Sequence, residues 1–288
     1  MGPVWFILSL LCAVSLSFAD LFSKIALRHA DIFLVSWVKM AFAFVILLAG
    51  LPWVRVPSIS GHFVRTCLIL FPLEVLVQLL YMKAIQVSPL SLTIPFLALS
   101  PIFLIATSFL MLGERIDRSG LAGILLIAVG SYMLNIDKAA YGFLSPLKAI
   151  AKEKGSWLMV VVAAIFSITS NLGKIAIQET NPFFFAVFFS GVMGVLLFPF
   201  SLLMSDRPAR RIREHLPIFV GIGIAMSLTV LFHMMAIVRV EVPYMISIKR
   251  TSPIFSVLMG CIFLHELHCR ERTLGSIIMT AGAVLILL

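Results

Sequence analysis

The chain has 288 residues, 61% of them hydrophobic and 12% charged, with a mean hydropathy of +1.11 and a formal net charge of +9. So few polar side chains cannot cover the surface of a water-soluble domain, so lipid has to solvate it. The excess cations are spread over short loops with no aromatic platform and no foldable basic domain, which excludes a nucleic-acid-binding protein and leaves membrane topology as their explanation.

Apolar runs of about 20 residues, long enough to cross hydrocarbon, are predicted near 3–27, 32–53, 63–84, 90–112 and 119–136. After a connecting loop at 137–155 they resume near 156–178, 182–204, 216–238, 243–265 and 273–288. Ser17-Phe18-Ala19 resembles a signal-peptidase site, but no positive segment precedes it, so span 1 is read as a retained helix. Cys12, Cys67, Cys261 and Cys269 show no paired spacing and read as small packing residues.

The second half reproduces the landmarks of the first at a shift of 150 to 152 positions. Ser23-Lys24-Ile25-Ala26 recurs as Gly173-Lys174-Ile175-Ala176, and Ser100-Pro101-Ile102-Phe103 as Ser252-Pro253-Ile254-Phe255. Leu112-Gly113-Glu114 recurs as Leu264-His265-Glu266, and Gly123 and Gly130 map onto Gly275 and Gly282. The reading is an all-α integral membrane protein of ten transmembrane helices, with repeats at 1–136 and 156–288 and two homologous bundles meeting at a central site. Five spans per repeat is an odd number, so the repeats are inverted and both termini share one side. Twelve loop cations, among them Arg28, Lys83, Lys138, Arg207 and Arg211, fall on one face, against Arg55, Arg65, Arg115, Arg118 and Arg239 on the other. That places the central loop in the cytoplasm and the termini outside.

Charges that cannot reach an interface carry the functional signal: Asp20, Lys24, Lys39, Glu74, Lys174, Lys249 and Arg250. Each costs about 2.5–3.5 kcal/mol at mid-depth, so such residues require a partner or a wet cavity. Five cations against two anions leave positive charge over, which an anionic substrate completes. Ser17, Asp20 and Lys24 share one helical stripe of span 1, and Ser167, Ser170, Asn171 and Lys174 the equivalent stripe of span 6. Lys24 has the alternative of an intrahelical pair with Asp20 or of snorkelling. Glu74, with Gln78 and Tyr81 or Met82 along its face, is the carrier of a coupled proton, a neutral structural hydrogen-bonder or a counterion for Lys39, and Asp20 joins it as a coupling candidate. His233 reads as a packing histidine.

Lys249-Arg250 is an adjacent cation pair where the first repeat has Leu97-Ala98. A planar fork beside a mobile point charge suits an anion, the alternative being a structural pair of Arg250 with Glu74 or Asp20. Pro253 clashes with the carbonyl of Lys249, so a kink is expected there and at its equivalent Pro101. Glu114 and Glu266, at the ends of spans 4 and 9, read as structural or gating groups. His265-Glu266-Leu267-His268-Cys269 is not a zinc-protease helix, whose histidines stand four apart. Gly123/Gly130 and Gly275/Gly282 permit close helix approach within the monomer or across a dimer. No phosphate loop, catalytic serine elbow or paired acid motif occurs, so neither an enzyme, a metal site nor a cofactor is expected.

The ten spans, the lysine near the end of span 1, the Pro101-containing span 4 that ends in Gly113-Glu114, and the glycine-spaced spans 5 and 10 together resemble the drug/metabolite transporter superfamily, EamA type, over essentially the whole chain. The resemblance implies a cavity between the repeats that opens to alternate sides. Lys249-Arg250 is similar to the basic pair in span 9 of the sugar-phosphate/phosphate translocators of that superfamily, where it grips phosphate; the likeness covers these two positions only. The expectation is a secondary active transporter of a small anionic metabolite, monomeric or homodimeric, in a bacterial inner (plasma) membrane. Its alternatives are a flippase for a lipid-linked polar group or an exporter of neutral or cationic metabolites. A membrane-embedded transferase has less support, since Asp117, Asp137, Asp206 and Glu214 are scattered.

Overall fold

The computed structural model describes residues 4–87, 94–134, 154–252, 254–255 and 269–287. Among the described residues there are eleven α-helices and no strand. They are α1 (Val4–Ala26), α2 (Ile32–Leu48), α3 (Gly61–Val87), α4 (Ser100–Leu112), α5 (Arg118–Leu134), α6 (Lys154–Gln178), α7 (Pro182–Met204), α8 (Pro208–Glu214), α9 (Leu216–Ile237), α10 (Val242–Lys249) and α11 (Cys269–Leu287). Among the described residues five helices are long and apolar enough to cross a membrane: α1, α3, α6, α7 and α9. Apolar stretches of α2, α4, α5 and α11 are shorter.

Local chemistry sets several helix ends. Asp31 caps α2 by accepting from the amides of Phe33 and Leu34 at 2.9 and 3.0 Å. At the equivalent place in the second repeat Asn181 caps α7 by accepting from Phe184 at 2.8 Å, with Pro182 in the first turn. Gly113 ends α4 in the left-handed region at φ 69°, a conformation glycine adopts without penalty. The second predicted span, 32–53, is helical only to Leu48; Pro52 lies in a 3-10 turn, Leu51–Trp53, that carries Trp53 out to 82% exposure.

The chain forms two compact units, Met1–Leu79 with Leu172–Arg239, and Leu80–Asn171 with Val240–Leu288. They do not coincide with the sequence repeats, because each draws helices from both: α1, α2, α7 and α9 fall in the first and α4, α5, α10 and α11 in the second, while α3 and α6 are divided between them. In the first unit α1 packs on α9, and α2 on α7 and α9. Its core joins Ala26, Leu34, Val35 and Val38 to Phe219 and Ile222, and a ring cluster of Phe63, Phe71, Phe185, Phe188 and Phe189 ties α3 to α7. Ser205, after α7, donates to Asp31 at 2.7 Å, and Arg211 donates to the carbonyl of His29. The turn between α1 and α2 thus lies beside the connection from α7 to α9. In the same way Ser60 and His62 meet Glu179, so the connection into α3 lies beside the turn between α6 and α7.

In the second unit α5 and α11 make the most extensive helix contact, and α10 packs on α4, α5 and α11. The glycines permit it. A Cβ on Gly123 would lie 2.6 Å from the Gly282 carbonyl, and one on Gly282 would lie 2.7 Å from the Gly123 carbonyl. Gly130 approaches Gly275 and Met279 as closely, so the small-residue face is used within the chain.

Candidate functional site

The backbone of both Pro-containing segments departs from a continuous helix. Residues Ile94–Leu99 form a 3-10 stretch that becomes α4 only at Ser100. Pro101, expected to kink span 4 from inside, stands instead in the first turn of α4, where a missing N–H breaks no intrahelical bond. In the second repeat α10 stops at Lys249; the Arg250 amide is shared between the carbonyls of Ile246 at 2.9 Å and Ser247 at 3.1 Å, and 3-10-type bonds follow, Thr251 to Ile248 at 3.0 Å and Ile254 to Thr251 at 2.9 Å. At the repeat shift of 152 positions Ile94–Leu99 corresponds to 246–251, so the two interruptions lie at overlapping places in the repeats. Pro253 and Glu266, together with Cys261, most of the 137–155 loop and the His265–His268 stretch, lie outside the described residues.

Arg250 is the cap residue after α10, so Lys249 and Arg250 stand at the negative end of that helix's dipole. The Arg250 guanidinium donates from Nε to Ser100 Oγ at 2.9 Å, and its carbon stands 5.7 Å from the Phe166 ring centroid. The Ser100 hydroxyl spends its hydrogen on the Leu97 carbonyl at 2.7 Å, which leaves its lone pairs for the arginine. Two turns further along α4, Thr107 donates to the Ser167 carbonyl at 3.1 Å and accepts from Asn171 Nδ2 at 3.0 Å. Asn171 is fully buried, and its Nδ2 also donates to the Ser167 carbonyl at 2.9 Å. The second unit therefore brings Arg250 and Asn171, both expected from the sequence, onto the Ser100–Thr107 stripe of α4.

Glu114 has a defined role beside them. Its Oε2 accepts from the amide of Val242, the first residue of α10, at 2.8 Å, and from the hydroxyl of Ser108. A carboxylate at the positive end of a helix satisfies an orphan amide and the dipole together. Asp117 accepts from the Gly120 amide at 2.7 Å and the Tyr244 hydroxyl at 2.8 Å, and these bonds hold its carboxyl below the usual range.

The first unit holds the other expected residues. Lys39 of α2, with 7% of its side chain exposed, pairs with Asp20 of α1 at 3.4 Å, and Asp20 is 41% exposed. Asp20 thus turns to Lys39 on the neighbouring helix instead of to Lys24 on its own. Lys24 is exposed, consistent with its place in the last turn of α1. Lys174 is 7% exposed, and Glu74, Gln78 and His233 are half-buried. Pro72 lies inside α3, two residues before Glu74. Among the described residues no group of His, Cys, Asp and Glu side chains is arranged to hold a metal ion.

Sequence reasoning did not single out Ser100, Thr107 and Phe166 as supporting groups, nor the Ser60–His62–Glu179 cluster. Ser100 stood in the repeated Ser-Pro landmark, which is a usable signal. Thr107 and Phe166 carry none, because hydroxyls and rings are ordinary in apolar helices.

No curated protein matches the chain. Among the solved structures that match is a crystal structure with a TM-score of 0.73 over 98% of this chain and 95% of that one, at 16% identity, a likeness of fold. The model of the EamA-like transporter family matches twice, at residues 3–136 and 153–288. With nearly all of its length matched in two copies, the chain belongs to the EamA-like transporter family, and it is a multi-pass membrane protein.

Proposed function

We propose that this protein is a secondary active transporter that moves a small anionic metabolite across a bacterial inner membrane by alternating access, and that it is not an enzyme. The observation that carries the reading is the Arg250 guanidinium, held by Ser100 and Phe166 at the end of an interrupted helix inside an apolar segment. Interrupted helices are how membrane transporters present charge and free backbone groups to a substrate. Lys249, Arg250 and Asn171 are proposed as substrate contacts. Lys174 and Lys24 carry the same proposal from charge and helix position alone. Glu74 and Asp20 are the proposed coupling groups, and Pro101, Pro253, Glu114 and Glu266 the gating ones.

The proposed topology is ten spans in two inverted repeats, 1–136 and 156–288, with the 137–155 loop cytoplasmic. The loop pairings within the first unit support the inversion, since the turn between α1 and α2 meets the chain after α7 while the connection after α2 meets the turn after α6. In a variant lacking the four native cysteines, cysteines at positions 2 and 211 should label from opposite sides of intact cells. Equal labelling by an impermeant reagent rejects the topology.

The transport reading is tested with purified protein, first by a thermal-shift screen against metabolite anions and cations, since a ligand of the native state raises apparent stability. Lys174→Ala, Lys249→Ala and Arg250→Ala should each weaken the anion found by about ten- to a hundredfold, the loss of one charge-assisted contact. Arg250→Lys should recover only part of it, and Glu74→Gln should change the pH dependence of uptake. A cationic ligand, or anion affinity unchanged in all three alanine variants, overturns the reading.

A further inference from the structure

The Asn171 side chain is satisfied on one side only. Its Nδ2 donates to the Ser167 carbonyl at 2.9 Å and to Thr107 Oγ1 at 3.0 Å and lies 3.8 Å from Met111 Sδ, whereas its Oδ1 has no hydrogen-bond partner among the described residues. The orientation of the amide is fixed by chemistry. The Ser167 carbonyl only accepts, so the reverse orientation would set oxygen against oxygen. Thr107 gives its single hydrogen to the Ser167 or Phe103 carbonyl, so it too needs an N–H from Asn171.

A fully buried amide oxygen without a donor is costly, and an apolar side chain of similar size would remove that cost. Its position is not arbitrary. Ser100 and Thr107 stand seven residues apart on one stripe of α4, and Arg250 reaches the first while Asn171 reaches the second. The helix rise between those anchors is about 10 Å. One edge of α4 thus carries a cationic fork at one end and an acceptor lacking a donor at the other.

We infer that Asn171 Oδ1 receives a hydrogen bond from the substrate, so that the substrate is an organic anion bearing an O–H or N–H donor remote from its charged group. This rests on the anion reading and adds a specificity determinant to it: Arg250 takes the charge and Asn171 selects for the donor. A site built to accept a substrate hydrogen bond discriminates strongly against the analogue without it, because the acceptor is then left buried and unpaired.

Two matched pairs of probes separate the contributions. 4-Hydroxybutyrate and butyrate differ only in the remote donor, and so do 3-hydroxypropyl phosphate and propyl phosphate; the first pair carries a carboxylate and the second a phosphate. In detergent-purified full-length protein, at least one hydroxylated member should bind ten times or more tighter than its partner. Asn171→Ala should bring the two members of that pair to equal affinity, and Arg250→Gln should weaken both by the same factor. Equal wild-type affinity within both pairs overturns the inference and leaves the anion reading standing, as does a preference that survives Asn171→Ala. Binding of none of the four probes, or no loss in Arg250→Gln, overturns the anion reading and this inference with it. Should Asn171→Ala fail to elute as a monodisperse species, the wild-type comparison within each pair decides.

Discussion

Replacing Gly123 by Ala sets two opposed effects against each other in the contact of α5 with α11. Alanine is favoured over glycine within a helix by about 0.8–1 kcal/mol. Against this, the new Cβ would stand 2.6 Å from the Gly282 carbonyl oxygen and 2.6 Å from Ile286 Cγ1, with the Ile286 amide nitrogen at 3.1 Å. A side chain can rotate aside, but the carbonyl cannot, so the helices must part by roughly 0.8 Å to restore ordinary contact. Overpacking of this kind typically costs about 1–3 kcal/mol and here also loosens the packing along the rest of the pair. The net expectation is a loss of about 1–2 kcal/mol, read as a fall of roughly 2–6 °C in apparent Tm of the detergent-purified protein. Gly173→Ala on α6 is the control, since nothing lies within 4 Å of its Cβ, and it should leave Tm unchanged or raise it. Gly282→Ala should resemble Gly123→Ala, and the double variant should lose less than the sum, because helices parted for one methyl already admit the other. A Gly123→Ala protein as stable as Gly173→Ala would refute the close-contact account.

Asp20→Asn should destabilise more than Lys39→Met, because the first leaves a buried ammonium without its carboxylate while the second replaces it by an apolar side chain of similar length. The expected difference is on the order of 1–2 kcal/mol, reduced by the partial exposure of Asp20, and is read by thermal denaturation in detergent. The acid limb of stability should depend on Glu179, whose carboxyl is held below its ordinary value of 4.5 first by the Ser60 hydroxyl and then by His62. A depressed folded-state value stabilises above the ordinary one and is lost as pH falls through the lowered one. The pH–Tm curve of Glu179→Gln should therefore be flatter below about pH 4.5 than that of the native protein, and superimposable curves would rule the contribution out.

The membrane class, the internal repeat and the family were legible because they rest on properties summed over many residues: hydropathy in long windows, and landmarks such as Ser-Lys-Ile-Ala against Gly-Lys-Ile-Ala. The glycine faces of α5 and α11 were legible for a different reason, since side-chain absence at a seven-residue spacing has one main packing use. Helix interruptions were not. Ile94–Leu99 is as apolar as any spanning helix, so a hydropathy window reads through a change that is purely one of backbone bonding. Charge partners were also beyond local spacing: the i,i+4 pattern offers Lys24 to Asp20, while the structure supplies Lys39 from the next helix. The grouping of helices into units that each draw on both repeats follows from packing between residues more than a hundred positions apart, as between Cys12 and Thr229.

The interruptions at overlapping places in the two repeats separate backbone from charge. Ile94–Leu99 adopts its 3-10 form with Leu97-Ala98 at the positions where the second repeat has Lys249-Arg250. The cations are therefore not needed to create the interruption, and removing them should leave the backbone bend in place. Nor does burial favour them: Leu97 is 7% exposed, and an apolar side chain fits that place in the first repeat. On the proposed function, two charges set into an apolar segment, where apolar residues serve the same backbone in the first repeat, are there for the substrate. Lys249→Leu combined with Arg250→Ala, which copies the first repeat, is thus the variant that separates the two functions of the segment. It should keep the native elution profile and thermal stability while anion binding is lost, and a protein that no longer folds would show that the pair serves the structure instead.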